Sequence, residues 1–301
     1  MAATKVYANM LAVLDSSRLD GERLRRVAES ETVADALKML GDYGFPVCTD
    51  IDGFAVAAAN ELIEFVSEYA ASKSVKDALL APFWYNNVKL AYKSRYADVP
   101  RDGYYALEHE AEKIARGDYE DCDKYLLEAL TSLDEADERD PQRIDLAITR
   151  AMYEFCLKCP VKRVRDYFGA EADMKNILTA ARKRRLGLGG DEFVNGGKIK
   201  LEKLENAISS ENFAECFVGT PYAEMAEAAE ERGFSELWRF ERDSDDYLLL
   251  LTDAAVADMS SYEPFLHHYT KTRVELKAVK TALVCIKTNA RDEFYRRVSL
   301  G

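Results

Sequence analysis

Apolar positions along this chain recur every three to four residues almost from end to end. That is the period of helices that bury one face. Leu24, Val27, Ala28, Val33, Ala36, Leu37 and Leu40 mark one such stretch over residues 22–40. Val56, Leu62, Ile63, Phe65 and Val66 mark another over 54–71. No segment shows a convincing strand-like alternation. Pro46, Pro82, Pro100, Pro141, Pro160, Pro221 and Pro264 fall between the helical stretches. A missing N–H and a ring that crowds the preceding turn should stop helices there. The pattern predicts an all-α fold.

Two patterns recur. The first is a long amphipathic helix written three times, as WYNNVKLAYKSRY from Trp84, DMKNILTAARKRR from Asp173 and ELKAVKTALVCIK from Glu275. In register, Asn87, Asn176 and Ala278 correspond, as do Val88, Ile177 and Val279, and Ala91, Ala180 and Ala282. The second pattern sets RLRRVAESETVADALKML (Arg23–Leu40) against KLEKLENAISSENFAECFVG (Lys200–Gly219). Leu24 meets Leu204, Glu31 meets Glu211, Val33 meets Phe213 and Asp35 meets Glu215. Each reads as a short helix, a serine-containing turn able to cap the next helix, and a second short helix. The middle long helix is followed by such a hairpin. The last long helix has none after it, and the first hairpin lacks a full long helix before it. The two chain ends are therefore expected to complete one unit together. The resulting units are 1–80 with 262–301, 81–165 and 166–261.

Candidate chemistry is sparse. ARKRRLGLGGDEFVNGGKIK (Ala181–Lys200) sets four cations before two glycine pairs. A phosphate loop of the Walker type needs a glycine where Glu192 stands and a hydroxyl where Ile199 stands. A dinucleotide fingerprint fails on its third glycine and on the helix that precedes it. The plainer reading places Arg182, Lys183, Arg184 and Arg185 in a last helical turn, where cations favour the dipole, and Gly187 at a left-handed cap. Cys156 and Cys159 form a C-x-x-C without a second ligand pair, on sequence that reads as helix, and are expected to be reduced thiols. His109 stands alone, and neighbouring His267 and His268 point to different sides of a helix. The acidic run SLDEADERDP over 132–141 reads as a loop and helix start. No catalytic, cofactor-binding or metal-binding residue is nominated, and no cofactor.

The six cysteines are scattered without an export signal, since MAATKVYANMLAVLDSS carries only a short apolar run that holds Asn9 and stops at Asp15. No apolar run reaches the length of a membrane span. The chain is expected to be cytoplasmic, with no membrane insertion of its own. A net charge of −13 repels the phosphate backbone, so nucleic acid is not an expected partner. On the residues alone, two further readings stay open: a helical-repeat scaffold, and an all-helical enzyme using the loop at 187–200 on a phosphate substrate.

Order and spacing of these motifs together resemble the C subunit of the A/V-type ATPases, equivalent to the d subunit of the eukaryotic V-type enzyme. The resemblance rests on YANMLAVLDSSRLDGERLRRVAESETVADALKML near the N-terminus and on EADMKNILTAARKRRLGL from Glu171. It rests also on the Gly-Gly loop and helix NGGKIKLEKLENAI, and on FLHHYTKTRVELKAVKTALVCIKT, in which Glu275 stands at the family's final glutamate. Ala278 departs from the family's usual asparagine, and CIKTN from its usual helix end. The resemblance implies three similar helical units around a pseudo-threefold axis, shaped as a funnel. It implies a non-catalytic rotor subunit, a monomer in isolation, peripheral on the membrane within its complex. Its implied partners are the central axle subunits and the membrane ring that carries protons or sodium ions.

Overall fold

The computed structural model describes residues 2–15, 19–99, 103–107, 111–190, 192–253 and 261–298. His109 and Pro100 lie outside the described residues. Among the described residues the secondary structure is helical throughout, with no strand. The chain forms two compact units, Met1–Cys122 with Thr252–Gly301, and Asp123–Leu251.

In the first unit α1 (Ala2–Asp15), α2 (Gly21–Ala28), α3 (Val33–Asp42), α4 (Ile51–Tyr69), α5 (Lys73–Lys93) and α6 (Ala111–Ala115) combine with C-terminal α13 (Glu263–Lys287) and α14 (Arg291–Arg297). The helix starts follow from local chemistry. Asp20, Thr32, Asp50 and Ser72 each accept a hydrogen bond from a first-turn backbone N–H of α2, α3, α4 and α5. The expected capping serine of the first hairpin is thus Thr32, because its hydroxyl lies within reach of Asp35 N–H, at 3.1 Å. The apolar faces of α2 and α3 close on α13: Leu24, Val27, Leu37 and Leu40 share one cluster with Val279, Ala282, Leu283 and Phe294. Residues far apart in sequence supply this core, so neither chain end alone buries its face.

Pro82 does not stop a helix, contrary to the sequence reading; it lies inside α5. A proline there removes a backbone donor and leaves nearby carbonyls short of partners. The Tyr269 hydroxyl of α13 donates to the Leu79 carbonyl at 2.9 Å, in the turn before Pro82. The unit boundary expected between 80 and 81 therefore falls within a continuous helix. Pro141 and Pro264 sit in the first turn of their helices, where the missing N–H costs nothing.

The second unit holds α7 (Lys124–Glu135), α8 (Pro141–Cys156), α9 (Lys162–Leu186), α10 (Leu201–Ser209), a 3-10 turn (Ala214–Phe217) and α11 (Ala223–Glu231). α12 (Leu237–Thr252) ends at its border. α7 and α8 pair as a hairpin, and α9 packs against α8, α10 and α11. Leu130, Ile148, Phe168, Ile177, Leu204 and Phe217 form its buried interior. Fully burying such side chains favours the fold by about 1.5–3 kcal/mol each. The second hairpin differs from the first. Its second short helix is only the 3-10 turn, and the Glu230 carboxylate, not a serine, accepts from the Phe213 and Ala214 N–H groups at 2.6 and 2.8 Å.

Candidate functional site

The joint between α9 and α10 carries the Gly-Gly loops and the four cations. α9 ends in a left-handed cap at Gly187, φ 65°. Leu188 N–H donates to the Lys183 carbonyl at 2.9 Å and Gly187 N–H to the Arg184 carbonyl at 3.2 Å, the paired bonds of a Schellman ending. The cations behind this cap have separate tasks. Arg182 pairs with Glu241 of α12. Lys183 is buried, not solvated: it donates to the Gly189 carbonyl at 2.8 Å and pairs with Glu192. Arg184 donates to the Ser210 and Glu211 carbonyls just beyond α10 and lies over the Phe234 ring. Arg185 is exposed.

The second glycine pair does bind an anion, and the anion is the protein's own. Asp173 is fully buried on α9. Its carboxylate accepts from Lys198 N–H at 2.9 Å, from Ile199 N–H at 3.0 Å and from the Tyr222 hydroxyl at 3.2 Å. Burial pushes the Asp173 carboxyl up, and these three donors oppose that rise. Burial and the neighbouring carboxylate push the Tyr222 phenol up, so it stays a proton donor. Gly197 has φ +87°, and a Cβ there would stand 2.1 Å from Asp173 Oδ1 and 2.9 Å from the Gly169 carbonyl oxygen. Only glycine lets the backbone approach this closely. Two backbone donors of this loop, those of Lys198 and Ile199, are thus already engaged by Asp173.

A second arrangement, missed in the sequence, ties the repeated helices to their following segments. Asn176 Nδ2 donates to the Val194 carbonyl at 2.9 Å while Val194 N–H donates to Asn176 Oδ1 at 2.8 Å. Asn87 makes the same two bonds with Tyr105, both at 2.8 Å. In both cases the clamped residue lies 18 positions further along. The arginine in register in the two helices also repeats its work. Arg95 donates to the Ile114 carbonyl at the end of α6 as Arg184 donates beyond α10. The third long helix has Ala278 at the asparagine position. There Arg291 of α14 donates to the Ser30 and Glu31 carbonyls at 2.8 and 2.9 Å, the turn equivalent to Ser210–Glu211. Asn9 of α1, also buried, donates to the Ser261 carbonyl at 3.0 Å ahead of α13. The aligned Asn and Arg positions of WYNNVKLAYKSR and DMKNILTAARKR carry the signal that reveals the first two clamps. Nothing local reveals Arg291.

The remaining suspects are not brought together. Cys156 and Cys159 are buried and form no disulfide, and burial pushes the Cys159 thiol up, away from the reactive thiolate. Burial lowers the His267 pKa, and His268 packs its ring on Phe65 at 4.7 Å. Asp140 of the acidic run caps α8 through Gln142 N–H at 2.8 Å. Among the described residues no three His, Cys, Asp or Glu side chains stand as a metal-binding group. Nor is any helix among them long and apolar enough to cross a membrane.

Comparison with curated proteins finds no match. The family model for the ATP synthase (C/AC39) subunit matches residues 10–297, spanning the long helices, both hairpins and the Asp173 joint. The chain therefore belongs to the ATP synthase C/AC39 subunit family, which is the C/d family of the A/V-type ATPases.

Proposed function

We propose that this chain is a non-catalytic central-stalk subunit of an A/V-type ATPase, standing between the rotating axle of the catalytic head and the membrane ring that carries protons or sodium ions. In this role it passes torque between ATP turnover and ion transport. The family match over residues 10–297 carries the reading. The chemistry of the joint supports it: a part that transmits torque needs stiffness and partner faces, and Asp173, Lys183 and Arg184 of α9 are spent on internal clamps. The proposal extends to the arrangement implied by the family, three similar helical units over 1–80 with 262–301, 81–165 and 166–261, set as a funnel. The repeated Asn and Arg clamps support the kinship of these units. It extends also to a monomer in isolation and to a peripheral place on the cytoplasmic side of the membrane. Affinity capture of the tagged chain under native extraction tests it. Recovery of axle and ring subunits is expected, and loss of both overturns the reading.

A further inference from the structure

Where the Gly-Gly joint runs into α10, Lys198, Lys200 and Lys203 follow one another closely. All three are exposed, and among the described residues none of their ammonium groups meets a carboxylate. Lysines on other helices of this chain are paired: Lys73 with Asp77, Lys124 with Glu128, Lys162 with Asp166. The backbone beneath the cluster is fixed. Lys198 and Ile199 N–H donate to Asp173 at 2.9 and 3.0 Å, the Ile199 side chain is buried between the two exposed lysines, and Asn176 clamps Val194 just upstream. Successive Cα spacing holds Lys198 and Lys200 within about 7.6 Å. Lys203 N–H donates to the Lys200 carbonyl at 3.0 Å, and that turn holds their Cα atoms within about 7 Å. A fourth exposed and unpaired lysine, Lys158, follows Leu157, whose side chain lies against Gly196. Buried Asp173 is bonded to the backbone N–H groups and the Tyr222 hydroxyl; the Lys198 charge favours its ionised form without pairing with it. Glu154 is bonded by Asn195, and Glu202 stands exposed in the first turn of α10, where the dipole favours it.

We propose that this lysine cluster at the α9–α10 joint docks an acidic segment of a partner protein, carboxylate against ammonium. The inference rests on the reading of the chain as one part of an assembly. With 54 Asp and Glu against 41 Lys and Arg, the chain has carboxylates to spare, yet it leaves these lysines without one. Their local field is opposite in sign to the net charge of −13, so an acidic segment is drawn to this place and repelled elsewhere. Glu202 and Glu205, exposed on the same short helix, argue against a flat anionic membrane, which would meet them together with the lysines. A narrow segment can follow the lysines and set a cation of its own against Glu202. Lysine is a strongly hydrated point charge that makes no bidentate grip, so the contact is reversible and weakens with salt.

The probe is a fluorescent synthetic peptide alternating glutamate with serine, beside a sister peptide with lysine in place of glutamate. Anisotropy with the full chain should show the glutamate peptide binding roughly tenfold more tightly, and weakening as salt rises. Acetylation by an amine reagent, read by peptide mass spectrometry, locates the contact. The glutamate peptide should slow labelling of Lys198, Lys200 and Lys203 several-fold and leave Lys38 and Lys287, exposed and unpaired in the first unit, unchanged. Charge reversal by K198E, K200E and K203E together should invert the peptide preference, an outcome that misfolding cannot produce. The milder K200A with K203A should weaken the glutamate peptide several-fold with the helical circular dichroism unchanged. Equal binding of both peptides, equal protection of Lys38 and Lys287, or a reversal variant that keeps the original preference overturns the proposal. So does protection of the cluster by phosphatidylserine vesicles or by inorganic phosphate with neither peptide bound. Failure here alongside intact capture of axle and ring subunits discards the lysine cluster alone. Localised peptide binding without that capture discards the rotor reading alone.

Discussion

Asn176→Ala removes both halves of the clamp on Val194. The side chain and Val194 are each about 1% exposed, so water does not replace what is lost. The variant leaves one N–H and one carbonyl buried without partners, at about 1–3 kcal/mol each, or roughly 2–6 kcal/mol together. Asn176→Asp should not rescue it: Oδ1 still accepts from Val194 N–H, but the second oxygen faces the Val194 carbonyl, acceptor against acceptor. Asn87→Ala makes the same deletion where the bonds are only partly buried, and should cost less, about 1–3 kcal/mol. The chain has two tryptophans, Trp84 in the first unit and Trp238 in the second. Urea titration followed by fluorescence, in backgrounds with either tryptophan replaced by phenylalanine, reads each unit separately. Asn176→Ala should shift the Trp238 transition and Asn87→Ala the Trp84 transition. An Asn176→Ala unfolding free energy within about 0.5 kcal/mol of the parent would refute the claim that the repeated asparagines hold the fold together.

Gly197→Ala forces a side chain into a left-handed backbone position at about 1–2 kcal/mol, and into Asp173 at about 1–3 kcal/mol more. Thermal unfolding should show a loss of roughly 2–5 kcal/mol, whereas Gly187→Ala, with open space around its Cβ, should lose only the backbone part. Tyr222→Phe removes one of three donors to Asp173 and should cost about 1–2 kcal/mol by urea unfolding, leaving the helical content unchanged. Burial lowers the His267 pKa in the fold, with Lys271 acting in the same direction and Asp253 and Thr252 against it. The unfolded chain then binds the proton more readily. The His267 contribution is present above the ordinary histidine pKa of about 6.5 and is lost as pH falls below it. His267→Gln should flatten that part of the stability profile, measured by urea midpoints across the acid range.

The helical class was legible because its cause is periodic and local. The stripe Met174, Ile177 and Ala181 needs no partner to be seen, and Gly187 announces the end of α9 by itself. Pro82 misled because a proline alone reads as a stop, whereas here the helix runs on through it, packed where the Tyr269 hydroxyl, 187 positions further on, meets the Leu79 carbonyl. The hairpin caps were legible as a need but not in identity: Thr32 is local, whereas Glu230 arrives from α11. The Gly-Gly-Lys loop failed as a phosphate loop in sequence, and nothing there showed that Asp173, 25 and 26 positions earlier, would occupy two of its backbone donors. The asparagine clamps lay half in view, since the repeat aligned Asn87 with Asn176 while the clamped backbone 18 residues on carries no side-chain signature. Arg291 was invisible for a plainer reason. It fills the role of Arg184 from a different helix, so no register in the sequence connects them.

Native mass spectrometry of the complex purified through the tagged chain tests the central claim most directly. The account predicts an assembly in which this chain stays joined to axle and ring subunits when the stator is stripped away. An intact rotor of axle and ring that forms without this chain, with the chain recovered alone, contradicts it.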